Sequence, residues 1–362
     1  MAEKRTLRPR VRPTRPLGSR EDGPAERWGP PSWNEALQMW VIPSKLGQRL
    51  HEKSRIGLQL PDGCFALSDI ELLFSHWNRH VPLPTDSWLD ERLRMNPRLL
   101  LEAVVMDTAR LGGEILVPGE RVDGFEDAWG VRWSRHAKPP ARPRARCEWT
   151  EASQHVDWAS LARRAVRTES MDVVDEWYVI DEEMDVTMYH VATMEFSGSV
   201  ATWQSLDHES KEGIRSSWEQ RVPCGEGHRL PLISERWPWP QLGTTHASGR
   251  ILRREESEVL AHLMDGAPLS NDAQLALVLM RQGVLLRPGF KFGSRWRVYD
   301  DDMDVVHAPW LVQTADRRPS TWEEVCLAVR LAEGVNKTWV TDVEVDGTAR
   351  WLSIRRALPG RD

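Results

Sequence analysis

The chain repeats itself, and that repeat limits the fold more than any other feature. One stretch, "ARLGGEILVPGERVDGFEDAWGVRW", begins at Ala109; another, "MRQGVLLRPGFKFGSRWRVY", begins at Met280. Both run Arg-x-Gly, an apolar strand, Pro-Gly, then Trp-x-Val. Next, "WASLARRAVRTESMDVVDEWYVIDEEMDVTMYHVATMEF" from Trp158 is mirrored by "WEEVCLAVRLAEGVNKTWVTDVEVDGTARWLSIRRAL" from Trp322. Each begins as an amphipathic helix holding Ala-Val-Arg and continues as a β-branched and aromatic strand. An acidic turn and a second alternating strand follow. A repeat of this kind means that one supersecondary arrangement is built twice.

Upstream of each copy lies a helical region, "LSDIELLFSHWNRH" with "NPRLLLEAVVMDTARL" before the first and "EESEVLAHLMDG" with "NDAQLALVLMRQG" before the second. The expected architecture is therefore α/β (α+β). It has two tandem units, each a small helical subdomain followed by a mixed α/β subdomain. The boundaries fall at 36–196 for the first unit and 245–362 for the second, whose mixed subdomain occupies about 281–362. Residues 197–244, rich in Gly, Ser, Pro and charge, read as a long connection between them. A length of 362 residues accommodates this.

Residues 1–35 read as a disordered basic arm. The first twenty residues carry seven Lys or Arg against one Glu, in a chain of net charge −6. An arm this rich in Pro and Arg buries little apolar surface, and its charge suits a phosphate backbone. No apolar run approaches the ~18–20 residues that cross a bilayer, so no membrane is expected and the cytoplasm is. The four cysteines are scattered, form no CxxC pair, and suit a reducing compartment without zinc or disulfides. The nineteen tryptophans read mostly as packing.

The two copies differ at polar positions. The second holds Tyr299 at the end of "WRVY", His307 at the start of "HAPWLV", and Lys337 at the end of "AVRLAEGVNK". Opposite Tyr299 the first copy places Arg132, within "WGVRW". Opposite Lys337 it places Glu176, within "VVDEWYV". Opposite His307 stands the insertion "SRHAKPPARPRARCEW", whose His136 finds no counterpart. One copy keeps a reactive set and the other reads as scaffold.

With "GFKFG" at Gly289–Gly293, these segments resemble the catalytic unit of archaeal tRNA-intron splicing endonucleases. There a G-[FY]-K-[FY]-G turn leads to a strand ending in tyrosine. A histidine then precedes an apolar strand, and a lysine follows an AVRLA-x-GV helix. The match is dense over about 75 residues. The chain departs from the family in "HAPW", which replaces the usual His-Ser, and in a short interval between Tyr299 and His307.

The resemblance implies RNA cleavage without metal or other cofactor. In that reaction a 2′-hydroxyl attacks its own phosphorus, with Tyr299 as base, His307 as acid and Lys337 as charge stabiliser. Imidazole, near pKa ~6.5, suits proton donation at neutrality, whereas a phenol near ~10 needs neighbouring cations to act as base. The resemblance also implies that Arg330 and Arg356 (or its neighbour Arg355) clamp a bulged base of precursor tRNA between guanidinium planes. It further implies a homodimer in which the acidic turn Asp181, Glu182, Glu183 and Asp185 docks into a basic groove of the partner. Two other readings are open to the residues. One is a non-catalytic RNA-binding subunit. The other is a Mg²⁺-dependent restriction-like nuclease, for which "DHESKEG", with Glu209 and Lys211, is the candidate.

Overall fold

A computed structural model describes residues 28–232 and 237–358; most of the expected basic arm lies outside that range. The fold is mixed α/β. Contacts divide the described residues into two compact units: 28–152 with Val173–Met188 and 357–358, and Ser153–Asp172 with Tyr189–Arg356.

The first unit opens with strands β1 (Ser32–Asn34), β2 (Met39–Ile42), β3 (Leu58–Gln59) and β4 (Phe65–Leu67), ordered β1-β2-β4-β3 in one sheet. Helices α1 (Ser44–Ser54), α2 (Asp69–Arg79), α3 (Trp88–Met95) and α4 (Leu99–Ala109) pack around it through Leu46, Leu72, Trp88 and Ala103. Strands β5 (Ile115–Pro118), β6 (Gly130–Trp133), β7 (Ala145–Glu151) and β8 (Val174–Ile180) follow. The β5–β6 and β6–β7 pairs are antiparallel and β7–β8 is parallel. A parallel pair needs a crossover, which the chain makes through α5 (Trp158–Ser170).

The second unit holds α5 and the Tyr189–Met194 part of β9 (Val186–Met194). It continues with α6 (His208–Glu219), β10 (Val222–Cys224), β11 (Gly227–Leu230), β12 (Thr244–His246) and β13 (Gly249–Leu252). The stretch 197–244, expected as a connection, is thus folded. Ile214, Trp218, Leu230 and Trp239 from it join the core of this unit. Its sheet runs β10-β11-β13-β12, the same order as the sheet that opens the first unit. The likeness between copies therefore reaches back to about Val222. No shared motif marks it there, because the strands are only three or four residues long.

After α7 (Arg254–Asp265) and α8 (Asn271–Arg281) come β14 (Leu285–Pro288), β15 (Trp296–Tyr299), β16 (Trp310–Gln313), α9 (Trp322–Glu333), β17 (Thr338–Val345) and β18 (Thr348–Ala357). Pairing along β14-β15-β16-β17 is antiparallel, antiparallel, then parallel, as in β5-β6-β7-β8. The helix α9 starts where Thr321 and Glu324 cap each other, and buries Trp322, Val325, Val329 and Ala332 at helical spacing. Asp346 and Gly347, both at positive φ, close the β17–β18 hairpin as a two-residue loop.

Both units also repeat one buried device. The third residue of α2, Glu71, caps its own helix and receives Arg121; the third residue of α7, Glu256, does the same with Arg253. In each, burial opposes the charge but the arginine outweighs it and holds the carboxyl below its ordinary value. Most tryptophans are indeed packing residues, among them Trp88, Trp133, Trp239 and Trp296. No helix among the described residues is long and apolar enough to cross a membrane. All four cysteines are free.

Candidate active site

Strand register places the candidate residues. Val298 on β15 pairs with Trp310 on β16, so Tyr299 falls opposite Pro309. Trp310 pairs in turn with Thr338 on β17, so Pro309 stands beside Lys337, and the Thr338 amide donates to Pro309 O at 2.9 Å. Trp339 pairs with Ile354 on β18, and the same register carried two residues further sets Lys337 opposite Arg356. Tyr299, Pro309, Lys337 and Arg356 thus form one row across four strands on one face. Tyr299 and Lys337 are two strand spacings, about 10 Å, apart at their backbones. His307 lies two residues before Pro309, exposed at the same end of the sheet.

Each member is held by local structure. Tyr299 is 6% exposed and packs with Val200, Leu285 and Ala308. Val200 is brought there by a close backbone approach: a Cβ on Gly283 (φ 78°) would stand 2.4 Å from Gly198 O. Only glycine fits such a contact, and the amides of Gly198 and Val200 bond across it. His307 is positioned by a short turn in which Asp302 O accepts from the amides of Val305 and Val306, both at 3.0 Å. This is how the short Tyr299–His307 interval closes. Lys337 follows Asn336, which leaves the α9 exit at φ 56°, and its Nζ donates to Ala308 O at 2.5 Å. Burial, and then the charge of Arg297, hold the Lys337 ammonium below its ordinary value.

Arg330 is exposed on α9. Its charge and that of Arg356 both act on Cys326, one helical turn before Arg330. Burial raises that thiol despite them. The Arg356 amide donates to Glu333 Oε1 at 2.9 Å, tying β18 to the end of α9. Arg355 points to the other face with Ser353, whose hydroxyl donates to Ala192 O. Strand alternation thus puts Arg356, not Arg355, on the side of Lys337 and Arg330.

Sequence reasoning passed over Arg297, although it stands inside "WRVY". It lies two residues before Tyr299 on the same face, its guanidinium carbon 5.9 Å from the Tyr299 ring centre and 5.7 Å from that of Phe292.

Register corrects the sequence pairing of the two copies. Pro118 pairs with Gly130 as Pro288 pairs with Trp296, so Trp133, not Arg132, holds the place of Tyr299. Ala145 pairs with Val174 as Trp310 pairs with Thr338, so Val173, not Glu176, holds the place of Lys337. Counting back from Ala145 gives Arg142 at the place of His307, for which the sequence alone offered no counterpart. Both mismatches are odd numbers of residues, and an odd slip turns a strand's side chains to the opposite face. Arg132 and Glu176 therefore face a core. Arg132 Nε donates to Glu176 Oε2 at 2.7 Å, and Glu114 completes a buried ion cluster. The matching positions in the second unit are Val284, Val298 and Val340, all 0% exposed.

The acidic turn is an exposed hairpin tip. Asp181 Oδ1 accepts from the amides of Glu183 at 3.0 Å and Asp185 at 2.9 Å, and all four carboxylates are exposed. The second unit has a groove of about 1280 Å³ lined by Arg253, Arg254, Arg295, Arg317 and Arg350, and also by seven carboxylates. It is mixed in charge and touches none of Tyr299, His307 or Lys337. Glu209 and Lys211 lie on helix α6, not on adjoining strands, which removes the geometry a restriction-like metal site needs.

A model of the tRNA intron endonuclease catalytic C-terminal domain matches residues 278–351, which hold Tyr299, His307, Arg330 and Lys337 but stop short of Arg356. A tRNA-splicing endonuclease of Thermoplasma volcanium is 26% identical over 184 residues, 51% of this chain and 56% of that protein. One of Methanococcus vannielii is 28% identical over 157 residues, 40% of this chain and 85% of that protein. One of Halobacterium salinarum is 38% identical over 97 residues, 24% of this chain and 28% of that protein. The chain thus spans just over half the length of the Thermoplasma relative.

Proposed function

We propose that this chain, which belongs to the tRNA-splicing endonucleases through the catalytic domain at 278–351, excises introns from precursor tRNA at bulge-helix-bulge sites. The observation that carries this reading is the row of Tyr299, Lys337 and Arg356 with His307 at its edge. It supplies a proton acceptor, a proton donor and cations at one sheet end, the set that phosphodiester transfer to an adjacent hydroxyl requires.

In the reaction, the substrate 2′-oxygen forms a bond to the adjacent phosphorus and passes its proton to the phenolate oxygen of Tyr299, which leaves the tyrosine neutral. The bond to the 5′-oxygen breaks, and His307 gives that oxygen a proton. Products are a 2′,3′-cyclic phosphate and a 5′-hydroxyl, and these side chains make both proton transfers without a metal. Lys337 stabilises the extra negative charge on the pentacoordinate phosphorus. Its bond to Ala308 O fixes where that charge is met. Arg330 and Arg356 stack on a bulged base, which suits a substrate read by shape.

The first unit is the structural copy of a tandem pair, because Trp133, Arg142 and Val173 replace the reactive set. Two chains form a homodimer, with the Asp181–Asp185 tip of each seated on cations of the other's second unit. Arg350, which has no ion pair among the described residues, is the free cation of that unit's groove. The enzyme acts in the cytoplasm on precursor tRNA.

The test is incubation with intron-containing precursor tRNA in EDTA, followed by end-group analysis. Cyclic phosphate ends are expected, and none from a substrate with a 2′-deoxy nucleotide at the cut. Cleavage of that modified substrate would sink the mechanism.

A further inference from the structure

We infer that Arg297 contacts the substrate: with Lys337 it forms an anion site beside Tyr299 that holds the non-bridging oxygens of the phosphodiester being cut. The inference rests on the RNA-cleaving reading and adds a residue to it.

Geometry sets the site. Arg297 stands one step inward from Tyr299 on the same face of β15, about 7 Å along the strand. Its guanidinium lies over the Tyr299 ring, 5.9 Å from its centre, beside the row that holds Tyr299 and Lys337. The Phe292 ring centre is 5.7 Å from the same guanidinium, so the cation rests near two aromatic rings. The Nε donates to Pro288 O at 3.1 Å, which fixes the plane of the group. The terminal nitrogens have no hydrogen-bond partner among the described residues, and a guanidinium presents them as a fork that fits two phosphate oxygens.

Charge supports the same conclusion. Neither Arg297 nor Lys337 has a carboxylate partner among the described residues, and the charge of Arg297 adds to burial in holding the Lys337 ammonium down. Two neighbouring cations without a counter-charge repel each other, and a bound anion reverses that repulsion. Arg287, paired with Arg297 across β14, is not a third ligand. It is buried, its guanidinium donates to Leu286 O and Pro240 O, and Glu256 lies 3.9 Å away.

The experiment has two arms on the full chain. In single-turnover cleavage of precursor tRNA, Arg297→Gln should slow the chemical step about 10²–10³-fold, the range for losing one preorganised donor to a developing oxyanion. Arg297→Lys, which keeps charge without the fork, should fall between. In the second arm, inorganic phosphate is titrated while the Lys337 side-chain resonance is followed by NMR as a function of pH. Phosphate should raise the pH at which Lys337 loses its proton in the wild type and leave it in place in Arg297→Gln. A wild-type chain that cuts RNA, with both variants cutting at its rate and responding to phosphate as it does, would overturn the inference and leave the proposed function standing. A phosphate response that depends on Arg297 in a chain that cuts no precursor tRNA would do the reverse.

Discussion

Replacing Arg132 alone should damage the first unit far more than replacing its whole ion cluster with apolar residues. The Arg132 side chain is 3% exposed, Glu114 3% and Glu176 0%. Burial works against the guanidinium charge, but the hydrogen bond and charge of Glu176 outweigh it and hold the proton above its ordinary value. Arg132→Ala removes the only cation among these three and leaves two carboxylates in a dry core. Breaking a buried pair this way costs about 3–5 kcal/mol, against a domain stability of about 5–15 kcal/mol. At about 2–4 °C per kcal/mol for a domain of this size, the transition should fall by roughly 6–20 °C.

The combined variant Glu114→Leu, Arg132→Met, Glu176→Leu removes three desolvation penalties and keeps the volume nearly filled. Tyr178→Phe must accompany it, because the Tyr178 hydroxyl donates to Glu176 Oε2 at 3.1 Å and would otherwise be orphaned at about 1–3 kcal/mol. The second unit holds three valines at the matching places, so the backbone accepts an apolar core there. The apolar set should lie between neutrality and about 4 kcal/mol of added stability. Calorimetry of the full chain beside both variants is the assay. An apolar set that unfolds as early as Arg132→Ala would refute the desolvation argument. An Arg132→Ala chain within about 1 kcal/mol of wild type would show that the cluster is solvated.

Three further outcomes follow from the site and the turn. His307→Ala should slow cleavage about 10²–10⁴-fold in single turnovers, the usual range for one lost proton-transfer group, and leave the unfolding temperature unchanged because the side chain is exposed. Arg356→Ala should weaken binding of an uncleavable 2′-deoxy precursor, measured by filter retention, while Arg355→Ala should leave it nearly intact; equal losses would mean that strand alternation does not decide the clamp. Neutralising Asp181, Glu182, Glu183 and Asp185 together should shift sedimentation toward monomer, as should 1 M salt, where the Debye length is ~3 Å against ~10 Å at 0.1 M. A neutralised chain that stays dimeric and active would make the turn a solvated hairpin tip.

The sequence revealed the parts of this protein that rest on periodicity and on runs of chemically distinctive residues. It identified the repeat, the α9 helix, and the Tyr299, His307 and Lys337 segments. It missed what depends on register. Matching Trp-x-Val to Trp-x-Val slid β6 by one residue against β15, and setting Glu176 against Lys337 slid β8 by three against β17. Either slip is invisible to composition, since tryptophan and valine recur on both faces of these strands. Each turns a core side chain toward the site. The four-stranded sheet at Val222–Leu252 escaped notice for a different reason: strands this short carry too few residues to show a period of two.

The two alignments can be separated by a pair of single substitutions. If Glu176 held the place of Lys337, Glu176→Lys would put an ammonium at a half-exposed strand entrance and change stability little. In the structure Glu176 is 0% exposed beside Arg132, so the same change buries two cations together. It should destabilise the first unit by about 3–5 kcal/mol. Val173→Lys, at the half-buried position after Asp172 (φ 50°), should stay within about 1 kcal/mol of wild type. Neither should create a second cleavage site, because Trp133 and Arg142 stand where Tyr299 and His307 would be needed. Urea unfolding of the two variants decides the matter: a tolerated Glu176→Lys beside a destabilised Val173→Lys would restore the sequence alignment and overturn the one drawn from strand pairing.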